Sequence, residues 1–176
     1  KNAHVIKPWL RGRDVSAWKL NWANYYLLYL PWDFPITEYP SVLEHLIHFE
    51  QELKNRPEVK EGRHPWYTLS RYGGAGTAAI LNKPKILYQR FQVKPSFAFD
   101  SDGFFTNDAV YIIDSDDFFL LGCLNSDMCW REIARNCPPI QNGYQLIWDY
   151  FKNIRIPTPP DDLRDKIAVL ARRCLD

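Results

Sequence analysis

The hydrophobic pattern of the first third of the chain predicts a short strand followed by an amphipathic helix. Aromatic and aliphatic residues fill positions 25–30 and are followed by a proline, an arrangement typical of a buried strand. Pro40 stands where a helix can begin, and apolar residues then recur every three or four positions as far as Leu53. Because Pro57 disfavours helical geometry at the residue before it, we expect the helix to end near Asn55.

The pattern in the middle of the chain predicts a long loop and then antiparallel strands. Residues 58–83 are polar and contain several glycines, which favours a loop around a short element at residues 66–69. Residues 85–91 and 109–113 are rich in apolar, β-branched and aromatic side chains, and a turn signal lies between them at residues 102–103. We therefore predict a meander of antiparallel strands.

The last third of the chain predicts further helices joined by short connections. Residues 117–124 and 127–136 form two of them, with Ser126 as the N-cap of the second. Residues 143–152 fit a strand or a helix, and the pattern does not decide between them. A proline-rich connector then leads to a final amphipathic helix, which carries on one face Leu163, Ile167 and Leu170.

The order of these elements favours an α+β fold, in which an antiparallel or mixed twisted β-sheet is flanked by helices. A length of 176 residues fits one domain with at most a small appendage. The hydrophobic and charged fractions, 46% and 24%, are ordinary for a globular protein, and no stretch approaches the roughly 18 apolar residues that span a bilayer. The chain begins without a methionine or an apolar signal core, so we expect it to be a piece of a longer protein.

The charge of the chain is nearly balanced overall but unevenly distributed. The net charge is +1, yet residues 1–19 and 60–95 are strongly basic and residues 96–132 are strongly acidic. A protein segregated in this way can present a basic face to phosphates while it stays near neutral. Neighbours in the chain can equally scatter around a fold, so the charge pattern leaves a polyanionic partner open.

No arrangement of residues predicts a complete catalytic centre or a metal site. No serine or cysteine stands in a recognisable nucleophile motif, and the four cysteines lack the spacing of a zinc site, which indicates buried thiols. The acidic cluster of Asp114, Asp116 and Asp117 lies between a predicted strand and a predicted helix. Since aspartates commonly turn and cap the chain at such places, we favour a structural role over cation binding.

Basic and amide side chains near the predicted loops are candidates for contacts with nucleic acid. Arginine can grip guanine with two hydrogen bonds, glutamine can grip adenine, and lysine mainly neutralises phosphate. The candidates, with one aromatic residue that could stack on bases, are Arg11, Arg13, Arg71, Tyr72, Lys83, Gln89, Arg90, Gln92 and Lys94. For each of them a solvated surface position fits the sequence equally well, and the neighbouring Lys85 fits a strand.

The order of several short motifs resembles the TaqI-like C-terminal specificity domain. These motifs are, in chain order, Ile6-Lys7-Pro8-Trp9-Leu10-Arg11-Gly12-Arg13-Asp14-Val15 with Trp18, Tyr39-Pro40, Pro65-Trp66-Tyr67, Lys83-Pro84-Lys85-Ile86, Asn107-Asp108, Leu124-Asn125-Ser126 and Ile154-Arg155-Ile156-Pro157. The resemblance covers nearly the whole chain and depends on the order of the motifs, which makes it more specific than any one of them.

This resemblance implies a target-recognition domain of adenine-N6 DNA methyltransferases and restriction-modification enzymes, related to the specificity subunits of type I systems. The expected partners are duplex DNA, read mainly in the major groove, and an N-terminal methyltransferase domain in the same protein. The resemblance further implies that this other domain binds S-adenosylmethionine and receives the flipped adenine, so that the present chain needs no cofactor. A cytoplasmic protein of a bacterium or archaeon is expected.

We expect the recognition domain to span residues 1–157, and residues 158–176 to form a C-terminal helix that acts as a linker or docks a partner. Because they are basic and loop-like, residues 71–79 and 90–96 are the predicted base-contacting segments. An alternative is a protein-interaction or assembly module of the same kind of complex, without direct reading of bases.

Overall fold

The computed structural model of the chain describes residues 2–71 and 74–175 and divides into two compact units. Unit 1 comprises Lys1–Pro8 and Tyr26–Ala79, and unit 2 comprises Trp9–Tyr25 and Ile80–Asp176. Within the described ranges, no helix combines the length and the apolar character needed to cross a membrane.

The strands are β1 Ile6–Leu10, β2 Val15–Ser16, β3 Lys19–Leu20, β4 Tyr26–Leu28, β5 Lys85–Gln89, β6 Phe91–Gln92, β7 Phe97–Asp100, β8 Phe105–Thr106, β9 Val110–Ile113, β10 Pro139–Ile140 and β11 Gly143–Gln145. The α-helices are α1 Pro40–Ile47, α2 Glu50–Lys54, α3 Pro57–Lys60, α4 Gly74–Leu81, α5 Phe118–Leu124, α6 Asp127–Asn136, α7 Trp148–Phe151 and α8 Asp161–Arg173. Short 3-10 helices cover Ala3–Val5, Gly12–Asp14 and Ile36–Glu38.

Unit 1 contains the predicted N-terminal strand and helix, but the strand is shorter than predicted and is not buried, since Tyr26 is 59% exposed. Strand β4 pairs antiparallel with the first residues of β1, and α1 buries Val42 and Leu46 in a core that also contains Leu30 and Phe34. The predicted helix is interrupted, because the Phe49 N–H bonds the Leu46 carbonyl at 2.9 Å and so tightens the end of α1 into a turn. Helix α2 then ends one residue before the expected position.

The prediction of a long loop over residues 58–83 is wrong for much of that segment. Helix α3 begins at Pro57, a residue suited to the first turn of a helix, and α4 occupies Gly74–Leu81. Alanines at positions 78 and 79 favour the helical state, and the nearby glycines do not prevent it. The short element expected at residues 66–69 is a turn, closed by a 3.2 Å hydrogen bond from the Thr68 N–H to the Pro65 carbonyl.

The central strand of unit 2 is β5, which pairs antiparallel with β7 on one side and with β9 on the other. Side chains alternate between the two faces of this sheet, as the period of a strand requires. Ile86 and Tyr88 pack with Leu121 and Ile133 of the helices, whereas Leu87 packs in a second core on the opposite face. Because both faces are covered, the strand is continuously buried from Lys85 to Tyr88.

The remaining strands form further sheets of two or three strands, so the α+β class is confirmed but the β structure is divided among several sheets. Strand β8 leaves the expected meander and pairs in parallel with the last residues of β1. Strands β10, β11 and β6 form an antiparallel sheet in that order, and β2 pairs with β3. Residues 143–152, which the sequence left undecided, contain both a strand, β11, and a helix, α7.

Two predicted helix starts are confirmed at the level of hydrogen bonds. Helix α6 has the predicted bounds, and the Ser126 Oγ accepts a hydrogen bond from the Cys129 N–H at 3.2 Å. Asp117 caps α5 by accepting a hydrogen bond from the Phe119 N–H at 2.9 Å. For Asp117, the structural role that we favoured for the acidic cluster is therefore confirmed.

Helix α8 packs on α5 through Ile167 of the predicted apolar face and through Ala171, which was not predicted. Ile167 and Ala171 lie against Gly122, where an added Cβ would be 3.1 Å from the Ile167 Cγ2 and 3.3 Å from the Ala171 Cβ. Leu163 and Leu170 are exposed. Because residue 122 is a glycine, the two helices approach closely at this point. The small Ala171 fits this close contact, whereas a leucine would be too large.

We expect Gly122→Val to separate α5 from α8 and to lower the free energy of unfolding by about 1–3 kcal/mol, the usual cost of overpacking. Gly76→Val is the matched control, because Gly76 is a helical glycine with open space around the position of an added Cβ. The free energy of unfolding of this control should stay within about 0.5 kcal/mol of that of the parent chain. Urea unfolding of both variants measures the difference. Equal stability of the two variants would contradict the close packing at Gly122.

Candidate nucleic-acid interface

The structure separates the predicted contact residues into three groups. Tyr72 lies outside the described residues, and Arg71 is an exposed residue of unit 1. The other seven belong to unit 2, and they are Arg11, Arg13, Lys83, Gln89, Arg90, Gln92 and Lys94. Their side chains differ in how much hydrogen-bonding capacity the fold itself uses, and this decides which of them are available to a partner.

Arg11 is held by contacts inside unit 2. Its Nε lies 3.0 Å from Asp14 Oδ2 and its Nη2 lies 2.9 Å from Asp14 Oδ1, so the guanidinium grips the carboxylate with two hydrogen bonds. The Arg11 backbone N–H donates to the same carboxylate at 2.8 Å. The guanidinium carbon is also 4.2 Å from the centre of the Tyr25 ring. Arg11 therefore closes the turn at Gly12–Asp14, and we propose no base contact for it.

This arrangement changes the acidity of both partners. Hydrogen bonding from Arg11 lowers the pKa of the buried Asp14 carboxyl below its ordinary value of 3.8, against the opposing effect of burial. The hydrogen bond to Asp14 in turn raises the pKa of Arg11. Both groups are therefore charged at neutral pH, and the pair fixes the loop that carries Arg13.

The two predicted glutamines also serve the fold. Gln89 is half-buried, and its amide nitrogen donates to the Val15 carbonyl, which ties β5 to β2. Gln92 is 1% exposed, and its amide nitrogen lies 3.2 Å from the Gln89 carbonyl oxygen while its amide oxygen accepts from the Ser96 N–H at 3.0 Å. Gln92 therefore holds the turn between β6 and β7, and we propose no base contact for either glutamine.

Arg90 is half-buried between an aromatic ring and an amide. Its guanidinium carbon is 5.1 Å from the centre of the Phe91 ring. With the Gln145 amide oriented so that its oxygen faces the guanidinium, the Arg90 Nη2 and Nε lie 2.9 and 3.3 Å from that oxygen. The charge of Arg90 is close to the surface, but its donors on this side are directed at Gln145.

The remaining predicted cations of unit 2 are exposed and lie on short connections. Arg13 belongs to the 3-10 helix Gly12–Asp14, Lys83 connects α4 to β5, and Lys94 lies in the turn between β6 and β7. A cation on an exposed connection can reach a phosphate without breaking a contact of the fold. These three residues are the strongest candidates among the predicted residues of unit 2 for contacts with a polyanion.

The β10–β11 hairpin is a candidate surface that the sequence reasoning missed. Ile140 pairs with Gly143, so Gln141 and Asn142 form a two-residue turn with exposed side chains. The backbone of Gln141 is in the left-handed region, with φ 49°. The pair Asn142-Gly143 is a sequence signal for a hairpin turn, one residue further along than the observed turn, and it could have identified the hairpin.

Lys85, which the sequence offered both as a basic side chain near the loops and as a strand residue, is a completely buried strand residue. Its ammonium group donates to the Asp100 carboxylate and, at 2.6 Å, to the Leu81 carbonyl. Lys85 is therefore removed from any basic surface of the protein. Within residues 2–71 and 74–175, no cluster of three or more histidine, cysteine, aspartate or glutamate side chains could hold a metal ion.

Comparison with known families finds a match over most of the chain. Residues 7–154 match the family described as the TaqI-like C-terminal specificity domain. The matched segment contains every predicted contact residue and the β10–β11 hairpin.

Similar proteins are longer than this chain. The type II methyltransferase M.MjaIV of Methanocaldococcus jannaschii is 28% identical over 144 residues, which are 77% of this chain and 47% of the relative. The chain therefore spans about half the length of that curated relative. A solved structure of the type IIL restriction-modification enzyme MmeI in complex with DNA matches with a TM-score of 0.64 at 13% identity, over 97% of this chain and 23% of the MmeI chain. That likeness shows a shared fold.

We expect the stabilisation by Asp14 to disappear in acid. At neutral pH, Asp14→Asn should be less stable than the parent chain, because it loses the ion pair with Arg11. As the pH falls below about 3.8 and through the lowered pKa of the folded state, Asp14 takes up a proton and the two proteins should converge in stability. Urea unfolding at a series of pH values measures the difference, with Asp108→Asn at an exposed position as the control. A difference that stays constant throughout would exclude the proposed ion pair.

Proposed function

This chain belongs to the family of TaqI-like C-terminal specificity domains of methyltransferase and restriction-modification enzymes, and we propose on that basis that it reads the base sequence of duplex DNA. The observation that carries the proposal is the family match over residues 7–154. The shared fold with part of MmeI, whose structure was solved in complex with DNA, supports it. The distribution of cations on exposed connections is the chemical feature that such a role requires.

We propose that the exposed cations position the domain on the phosphate backbone. Arg13, Lys83 and Lys94 in unit 2 and Arg71 in unit 1 take this role, because their side chains are exposed and lie outside the strands. Phosphate contacts set the register of a protein on DNA, whereas specificity comes from contacts with base edges. Tyr72 stays a predicted stacking residue.

The chemistry of the reaction belongs to another part of the proposed parent protein. We infer a methyltransferase domain that precedes this chain, binds S-adenosylmethionine and methylates the N6 atom of adenine, in some enzymes together with a nuclease. Since the chain spans only about half of M.MjaIV, that relative has room for a further domain. The amino group of a stacked adenine cannot be reached, so the inferred enzyme must flip the base out of the duplex.

A role in assembly is the second candidate, favoured by exposed apolar residues of α8. Leu163, Val169 and Leu170 are exposed, although Ile167 and Ala171 of the same helix pack on α5. Exposed apolar residues on a helix suit a docking role for residues 158–176. The two candidates differ in salt dependence, because contacts with phosphates release counterions and apolar docking does not.

Fluorescence anisotropy of the chain on random duplex DNA, at about 50 mM and about 200 mM salt, tests the proposed function. We expect binding that weakens steeply at the higher salt concentration. Absence of binding at the lower concentration, or binding that salt does not change, would favour the role in assembly.

Removal of one exposed cation should weaken the binding of all sequences alike. We expect Lys94→Ala to reduce the slope of log K against log salt by about one, because one phosphate contact is lost. Lys166→Ala is the matched control, an exposed lysine of α8 that lies outside the basic segments of the chain. Equal slopes for the two variants and the parent chain would remove Lys94 from the interface.

A further inference from the structure

An open groove lies between β6 and the β10–β11 hairpin. Its volume is about 350 Å³, and it is lined by apolar side chains and by the amides of the hairpin turn. Phe91, Val93 and Ile140 are 44%, 67% and 39% exposed. Exposed apolar side chains next to a polar rim are typical of a surface that binds a partner.

One wall of the groove is the segment of residues 91–93, and the other is the β10–β11 hairpin. Direct contact between their backbones at Gly143 holds the two walls at a fixed separation. Gly143 is buried against β6, and a Cβ at this position would lie 2.0 Å from the Gln92 carbonyl oxygen and 2.9 Å from the Val93 Cα. Only glycine fits such a close approach of two backbones. The turn at Gln141 and Asn142 is therefore fixed relative to Val93.

The wall that carries Val93 is also fixed by hydrogen bonds inside its own turn. The buried Gln92 amide bridges the Gln89 carbonyl and the Ser96 N–H, so the turn that carries Val93 and Lys94 has a defined shape. A surface whose two walls are set before binding loses little conformational entropy when it takes up a rigid partner.

The charge around the groove fits a polyanion. Residues 90–96 contain Arg90 and Lys94 without a carboxylate, and residues 138–146 contain no charged side chain. The chain as a whole contains 21 acidic and 22 basic residues, so a groove with cations on one side and no acid in either segment differs from that background. The duplex DNA of the proposed function satisfies this charge pattern.

The side chains that line the groove favour one kind of base pair. Guanine is read mainly by arginine or lysine, but the Arg90 Nη2 and Nε are directed at Gln145, and Lys94 takes the phosphate contact proposed above. Asparagine and glutamine amides match the N6 donor and the N7 acceptor of adenine, and an apolar side chain packs on the methyl group of thymine. Gln141 and Asn142 supply the amides, and Val93 supplies the apolar contact.

We propose that the Gln141–Asn142 turn and Val93 together read an A·T base pair in the major groove. The amides of the turn bond the adenine edge, and Val93 contacts the thymine methyl group. This assignment rests on the proposed function and adds to it a specific base pair and a recognition element in the hairpin.

Selection from a library of random duplexes, followed by sequencing, tests the proposal with the 176-residue chain. We expect the parent chain to select a site that contains a fixed A·T pair. The variant Gln141→Ala/Asn142→Ala should lose about tenfold or more of the discrimination at that pair and keep the other positions of the site. Gln51→Ala/Asn55→Ala, a change of two exposed amide side chains in unit 1, is the matched control and should select the parental site.

Replacement of the selected thymine by uracil tests the contact of Val93. Uracil lacks the methyl group, so the parent chain should bind the uracil duplex about fourfold more weakly, as expected for the loss of one buried methyl group. Val93→Ala shortens the other partner of this contact and should reduce the difference in binding between the two duplexes.

The outcomes separate the two proposals. If the parent chain selects a sequence and the double variant selects the same sequence with equal discrimination, the assignment to the hairpin is wrong while the proposed function stands. If the parent chain selects a site with a fixed G·C pair and only that pair becomes variable in the double variant, the hairpin reads G·C and the proposed reading of an A·T pair is wrong. If the parent chain binds DNA without any preference, or does not bind it, the proposed function fails together with this inference.

Discussion

The buried ion pair between Lys85 and Asp100 is the interaction on which the architecture of unit 2 depends. Removing two charges from water costs several kcal/mol for each ion, and the cost is offset only when all their hydrogen-bonding groups find partners. Here the ammonium group has three acceptors, including the Leu81 carbonyl, and the carboxylate accepts from the three consecutive N–H groups of residues 102–104. One pair thus joins the end of α4, the start of the central strand β5 and the turn towards β8, and loss of either charge would leave the other unpaired in the core.

Several acidic and amide residues of unit 2 hold the fold together, whereas Arg13, Lys83 and Lys94 are exposed on its connections. Asp14 pairs with Arg11, and Asp117 caps α5 and pairs with Arg164. Carboxylates that are engaged in this way contribute to the near-neutral charge of the chain but are oriented towards partners within the fold. A protein can therefore be almost neutral in total and still offer basic connections such as that of Lys94 to an anionic partner.

Local patterns predicted local structure, and tertiary contacts decided the rest. Helix α6 and its Ser126 cap follow from the chain near that position, and both were predictable. The face of α8 that packs was not predictable, because it depends on the absence of a side chain at Gly122, more than forty residues earlier in the sequence. For the same reason, the sequence could not show which candidate residues are available to DNA. The amide of Gln92 has the right chemistry for adenine, but only the folded chain shows that it is buried. The hairpin turn carried its own signal at residues 142–143, and the surface beside it depends on strand pairing.

The close approach of Gly143 to the backbone of Gln92 separates the part of the hairpin that must be conserved from the part that can vary. A substitution at Gly143 would have to displace a neighbouring strand, whereas the side chain of Asn142 points to solvent and contributes nothing to that packing. Gln141 has only one restriction, a backbone in the left-handed region, which asparagine and glycine also accept. Descendants of this protein, or a designer, could therefore exchange the residues of the turn while keeping the same scaffold, so that the surface changes faster over generations than the fold that supports it.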